Sequence, residues 1–129
     1  MAAPEPRKHF PPPGEPGRLP FSSAVQAGNT LYLSGHIGVN LETSKVPTDA
    51  KEEIRLMLDS FQKTLANAGY SMEELVYVQV FCSDVALFGV FNEIYRTYFR
   101  GPLPARAFIG SGGLLFGARF EIQGIAVRG

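Results

Sequence analysis

Between Asp49 and Gly69 the apolar residues Ile54, Met57, Leu58, Phe61, Leu65 and Ala68 recur three and four positions apart. That period gathers them into one stripe along an amphipathic helix. Asp49 suits its N-cap, Glu52 three residues later completes a capping-box pattern, and Gly69 suits the residue that ends it. A second stripe, Phe88, Phe91, Ile94, Tyr95, Tyr98 and Phe99, predicts another helix over 85–99. Ser83 or Asp84 would cap it, and Gly101-Pro102 would stop it. Elsewhere the pattern shortens to that of strands. Residues 22–27 and 30–34 flank Gly28-Asn29, a hairpin signal, and Leu31 and Leu33 alternate with Tyr32 as in a sheet buried on one face. The valine- and aromatic-rich stretch 75–81 reads as a central strand. Residues 105–109 and 119–127 supply the last two strands, joined by the glycine-rich segment 110–117. The order ββ-α-β-α-β-β holds two strand–helix–strand crossovers, which predict an α+β fold: a mixed sheet with both helices on one face.

Residues 21–129 form one expected domain, of a size that supports a core without disulfide or metal. Residues 1–20 are broken by prolines at 4, 6, 11, 12, 13, 16 and 20 and read as an extended, partly disordered arm without a signal-peptide core. Lys+Arg and Asp+Glu each number 12, so the formal charge is zero. That balance argues against nucleic acid and anionic membranes as partners, since both call for a basic excess or stripe. No apolar run approaches the roughly 18–20 residues a membrane helix needs. The single cysteine, Cys82, has no intrachain partner, which suits a reducing cytosol, the expected compartment.

Candidate chemistry is sparse. Pro104-Ala105-Arg106 and Phe120-Glu121-Ile122 put an arginine and a carboxylate on two strand-like segments. An arginine fork matches the two oxygens of a carboxylate ligand, and a nearby glutamate moves a proton or positions a water. The alternative is structural, with Arg106 in an ion pair and Glu121 solvated. Other signals carry less. The glycine run fails as a phosphate loop, because Ala118-Arg119 follows the last glycine where Lys-Ser/Thr is required, and no helix is expected to start there. His9 and His36 lack companions at metal-ligand spacing. Ser34-Gly35-His36 has no nucleophile elbow, and Cys82 has no neighbour that would lower its pKa.

Several segments together resemble the RidA/YjgF family of reactive-intermediate (enamine/imine) deaminases, formerly called L-PSP endoribonucleases. They are Gly28-Asn29, the run Leu31-Tyr32-Leu33-Ser34-Gly35-His36-Ile37, Asn92-Glu93-Ile94-Tyr95, Pro104-Ala105-Arg106 and the closing strand 120–127. The resemblance implies a chorismate-mutase-like fold assembled as a homotrimer with sites in clefts between subunits. It also implies a hydrolase of the 2-iminobutanoate/2-iminopropanoate deaminase type. Such an enzyme converts 2-aminoacrylate-type enamines and imines to 2-oxo acids and ammonia, with no cofactor or metal. In family terms Arg106 clamps the substrate carboxylate and Glu121 activates the attacking water. Phe21, Ser34, Gly35, Asn92, Phe108 and the backbone beside Arg106 shape the pocket.

The chain departs from the best-known deaminases at four places. Phe21 stands where they carry Tyr, Phe108 where they carry Cys, and Gly110 where they carry an acid, while Leu114-Leu115 replaces a Leu-Pro pair. The expected pocket is therefore reshaped and drier. Two further functions compete: a non-catalytic binder of 2-oxo acids, and the ribonuclease activity once attached to the family. Neutral charge and the lack of a histidine acid/base pair weigh against the latter.

Overall fold

The first apolar stripe forms helix α1, Ala50–Asn67, with Ile54, Met57, Leu58, Phe61 and Leu65 fully buried. Asp49 caps it by accepting from the Lys51 N–H at 3.1 Å. Glu52 stays exposed at the surface, and it is the neighbouring Glu53 that turns inward, with no exposed surface. Gly69 ends the helix at φ +80, a left-handed conformation that costs glycine little. These features belong to a computed structural model that describes residues 6–129.

Six strands form one sheet in the order β1-β2-β3-β6-β4-β5. They are β1 Lys8–Phe10, β2 Ala24–Ala27, β3 Thr30–His36, β4 Leu75–Cys82, β5 Ala105–Gly110 and β6 Phe120–Val127. β4 and β5 run parallel, whereas β3 and β4 both pair antiparallel with β6. Both crossovers are thus present, and the fold class is the α+β mixed sheet with two helices that the pattern implied. α1 and the second helix pack on one face, where Leu31, Leu33, Val78, Val80, Phe120 and Ile122 complete the core.

Two expectations need correction. The sheet does not begin near Phe21: Lys8–Phe10, inside the proline-rich arm, pairs with β2, while residues 1–5 of that arm lie outside the described residues. Three residues free of proline suffice for an edge ladder, a contact too short to register as a periodic signal. The second helix is also not continuous. A 3₁₀ turn Val85–Leu87, capped by Asp84 through the Ala86 N–H, leads into α2, Phe88–Tyr95, and a second 3₁₀ turn follows over Arg96–Tyr98. The stripe is rich in aromatic residues, weaker helix formers than the Leu, Glu and Lys of α1, and its backbone follows the packing of the rings.

Candidate functional site

Parity along the strands decides where the two charged candidates point, because paired residues in adjacent strands share a face. Arg106 pairs with Val78, which is fully buried under the helices, so Arg106 lies on the helix face. Glu121 pairs with Phe81, three positions further along β4, and therefore lies on the opposite, open face. In one chain the two side chains do not converge.

Each has its own surroundings. The Arg106 guanidinium carbon lies 4.9 Å from the ring centroid of Tyr95 and 5.4 Å from that of Phe108. Phe88 and Phe91 follow at 5.7 and 5.9 Å. A cation ringed by aromatic faces is held by their quadrupoles, with its N–H fork uncommitted. Among the described residues the salt bridge joins Arg119 to Glu53 instead, at 2.6 Å, which removes the structural ion-pair reading of Arg106. Two buried polar atoms of α2, Asn92 Oδ1 and the hydroxyl of Tyr95, have no hydrogen-bond partner among the described residues. Burial pushes the Tyr95 pKa up to about 12 despite the lowering pull of the Arg106 charge, so the hydroxyl stays protonated as a donor.

On the open face Glu121 lies against Gly35, next to Ser34 in β3. Leu33 pairs with Gly124 and His36 with Ile122, so Ser34 and Gly35 together oppose one residue in a bulge. A Cβ on Gly35 would lie 2.9 Å from the Glu121 carboxyl carbon, so only glycine leaves room for that carboxylate against the strand. Burial raises the Glu121 pKa above its ordinary value. The Ser34 hydroxyl donates to the Ser22 carbonyl at 2.5 Å, and its N–H donates to Ser23. Ser34 thereby anchors the segment that carries Phe21, a residue 48% exposed.

The signals set aside in the sequence have structural roles. His36 is a core histidine between the Ser34 carbonyl and Thr64 Oγ1, edge-on to Phe61, and burial lowers its pKa. The buried Cys82 thiol donates to the Asp84 carbonyl, and burial raises its pKa. No group of three or more metal-ligating side chains occurs among the described residues. What the sequence reading missed is the Glu53–Arg119 network. Glu53 accepts from the Arg119 and Phe120 N–H groups as well as the guanidinium, and Arg119 also donates to the carbonyls of Pro47 and Thr48. No local pattern announces a partner 66 residues away. Beside this network an open concavity of about 520 Å³ is lined by Ser44, Lys45, Val46, Pro47, Thr48, Phe116, Gly117 and Arg119, none of them an expected site residue.

The family model described as endoribonuclease L-PSP matches residues 15–128. The chain belongs to that family, the RidA/YjgF proteins. The 2-iminobutanoate/2-iminopropanoate deaminase of Mus musculus is 40% identical over 111 residues, 85% of this chain and 82% of that protein. Among solved structures, the E. coli YjgF gene product matches with a TM-score of 0.82 at 31% identity, over 92% of this chain and 94% of that one. E. coli TdcF with bound serine matches with a TM-score of 0.83 at 30% identity, over the same shares of each chain. Within this RidA-type chain, as in the sequence reading, the arginine and the glutamate stand on β5 and β6. No helix of the described residues is long and apolar enough to cross a membrane.

Proposed function

We propose that the protein hydrolyses reactive enamines and imines of 2-aminoacrylate type to 2-oxo acids and ammonia, at sites built between subunits of a homotrimer in the cytosol. The observation that carries this reading is the boxed guanidinium of Arg106, which has aromatic rings around it and no acid partner among the described residues. Such a fork is free to take a carboxylate in two parallel hydrogen bonds. The deaminase name of the mouse relative supports the reaction class, and the serine bound to TdcF supports a small amino-acid-like ligand.

In this reading Arg106 of one subunit holds the substrate carboxylate and fixes the imine carbon beside a water on Glu121 of a neighbour. Glu121 accepts a proton as the water oxygen bonds to the imine carbon and the C=N pair moves onto nitrogen. Glu121 passes that proton to the nitrogen, giving the tetrahedral amino-alcohol, then takes the hydroxyl proton and delivers it to the same nitrogen as the C–N bond breaks, so that ammonia leaves and the carbonyl of the 2-oxo acid forms. The raised Glu121 pKa brings the carboxyl closer to neutrality, where accepting and returning a proton are more evenly balanced. Asn92 Oδ1, buried without a partner among the described residues, supports a role for Asn92 as acceptor of an N–H from the substrate.

The test supplies the protein with enamines generated by a serine or threonine dehydratase and follows ammonia release. Arg106→Ala and Arg106→Lys should both lose about 2–5 kcal/mol of transition-state stabilisation, because an ammonium does not reproduce the fork. Glu121→Gln should keep 2-oxo-acid binding and lose at least roughly 10²-fold in turnover. A folded protein that binds 2-oxo acids yet shows no hydrolysis above background is a binder, and the enzymatic reading fails.

A further inference from the structure

The far side of the aromatic box faces outward. Phe88, the first residue of α2, is 41% exposed although it is a large apolar side chain. It stacks on Phe108 of β5, with ring centroids 4.9 Å apart and planes 16° from parallel. Both rings sit beside the same cation, 5.7 and 5.4 Å from the Arg106 guanidinium carbon. The next residue, Gly89, has nothing within 4 Å of where a Cβ would stand, so α2 is uncovered at that position. At the end of β5, a Cβ on Gly110 would meet Val85 Cγ1 at 3.0 Å, and Val85 is itself 60% exposed. The wall continuing from the cation is therefore Val85, Phe88 and Phe108, with no charged or hydrogen-bonding side chain among the three.

We propose that the Phe88–Phe108 stack is the side-chain subsite of the Arg106 clamp, and that the chain prefers 2-imino and 2-oxo acids with flat or branched apolar side chains over the unsubstituted three-carbon acid. The inference rests on Arg106 as the carboxylate clamp. A carboxylate held in the fork leaves the ligand side chain two or three bonds away, at the distance of the neighbouring rings. A polar or absent side chain leaves the exposed Phe88 face wetted. A phenyl or isobutyl group covers that face and releases its water, which favours binding in proportion to the apolar area covered. An aryl group adds the preference of stacked rings for one another.

The experiment is calorimetric titration of the full chain with 2-oxopropanoate and with 3-phenyl-2-oxopropanoate. The wild-type protein should bind the phenyl acid about tenfold or more tightly than the small one. Phe88→Ala should abolish that ratio, weakening the phenyl acid about tenfold more than it weakens 2-oxopropanoate. Phe88→Leu keeps the start of α2 apolar and lacks the ring face; it should cut the ratio without lowering the melting temperature. Equal affinities in the wild-type protein overturn the proposal, as does a Phe88→Ala variant that weakens both acids alike or changes the oligomeric state, which would make Phe88 a subunit contact. If Arg106→Ala leaves 2-oxopropanoate binding unchanged, the clamp itself fails and the subsite falls with it. If Arg106→Ala abolishes that binding and the phenyl acid gains nothing from Phe88, only the subsite fails.

Discussion

Glu121 is the residue whose surroundings make the sharpest demand on solution behaviour. Its carboxyl is half-buried against Gly35, and burial raises its pKa above the ordinary value of 4.5. For a carboxyl with a raised folded-state pKa, the neutral form suits the fold, so its stability contribution is whole below 4.5 and is lost as pH rises through the raised value. Glu121→Gln should therefore be more stable than the wild type at neutral pH, and denaturant titrations should show the advantage vanishing below about pH 4.5. Activity runs the other way. A general base must be ionised, so the acid limb of kcat/KM should lie above 4.5, and the residual activity of Glu121→Gln should be flat across that limb. A limb that persists in the Gln variant assigns the titration to another group.

At the scale of elements, Glu53 is the tie between α1 and the start of β6. Its carboxylate is fully buried and takes two backbone N–H groups and the Arg119 side chain, while Arg119 also holds the carbonyls of the loop before α1. Removing one partner of a fully buried pair costs about 3–5 kcal/mol. Here the Arg119 side chain is 30% exposed, and water will rescue part of its charge. Glu53→Gln should thus lose about 2–3 kcal/mol, a fall of roughly 6–12 °C in melting temperature for a domain of this size. Thermal melts of the purified variant check it, and a change below about 2 °C would mean that the network merely decorates the junction. The site is exposed to this tie, because Glu121 follows Arg119 by two residues on the strand that the tie positions.

At the scale of the molecule, the division of Arg106 and Glu121 between the two sheet faces has a direct consequence for assembly. The open face carries Tyr32, 51% exposed, with the half-buried Tyr77, Phe81 and Ile125, an apolar surface of the kind that copies of a chain bury against one another. We expect a homotrimer, and light scattering that returns only the 14.1 kDa chain at micromolar concentration would contradict it. Mixed assemblies give the stronger test. Arg106→Ala and Glu121→Gln chains should each be inactive alone, whereas unfolding and refolding them together should restore about a quarter of the wild-type sites, each with an intact Arg106 and an intact Glu121 from different subunits. Activity that does not return on mixing would place both groups in one chain's site, against the register of the strands.

Much of this was legible along the chain because it is local. The 3.6-residue stripe of α1, its Asp49 cap and its Gly69 stop depend on neighbours within a few positions, and all three appear where the pattern put them. The alternation of Leu31, Tyr32 and Leu33 likewise divided β3 into an apolar face and an exposed one. Family membership was readable from short segments in order, and with it the candidacy of Arg106, Glu121, Gly35 and Asn92. The tertiary structure decided what depends on register between distant strands. Alternation within β5 says that Arg106 and Ala107 point opposite ways, but only pairing with Val78 says which of them meets the helices. The same holds for Glu121 against Phe81, for the β1 edge pairing inside a proline-rich arm, and for Glu53 in preference to Glu52. Phe108, a departure in the sequence, became one wall of a box whose other walls come from α2. Local spacing specifies an element and its faces; which face becomes the inside is settled only when hydrogen-bond register and apolar burial are satisfied together across the whole sheet.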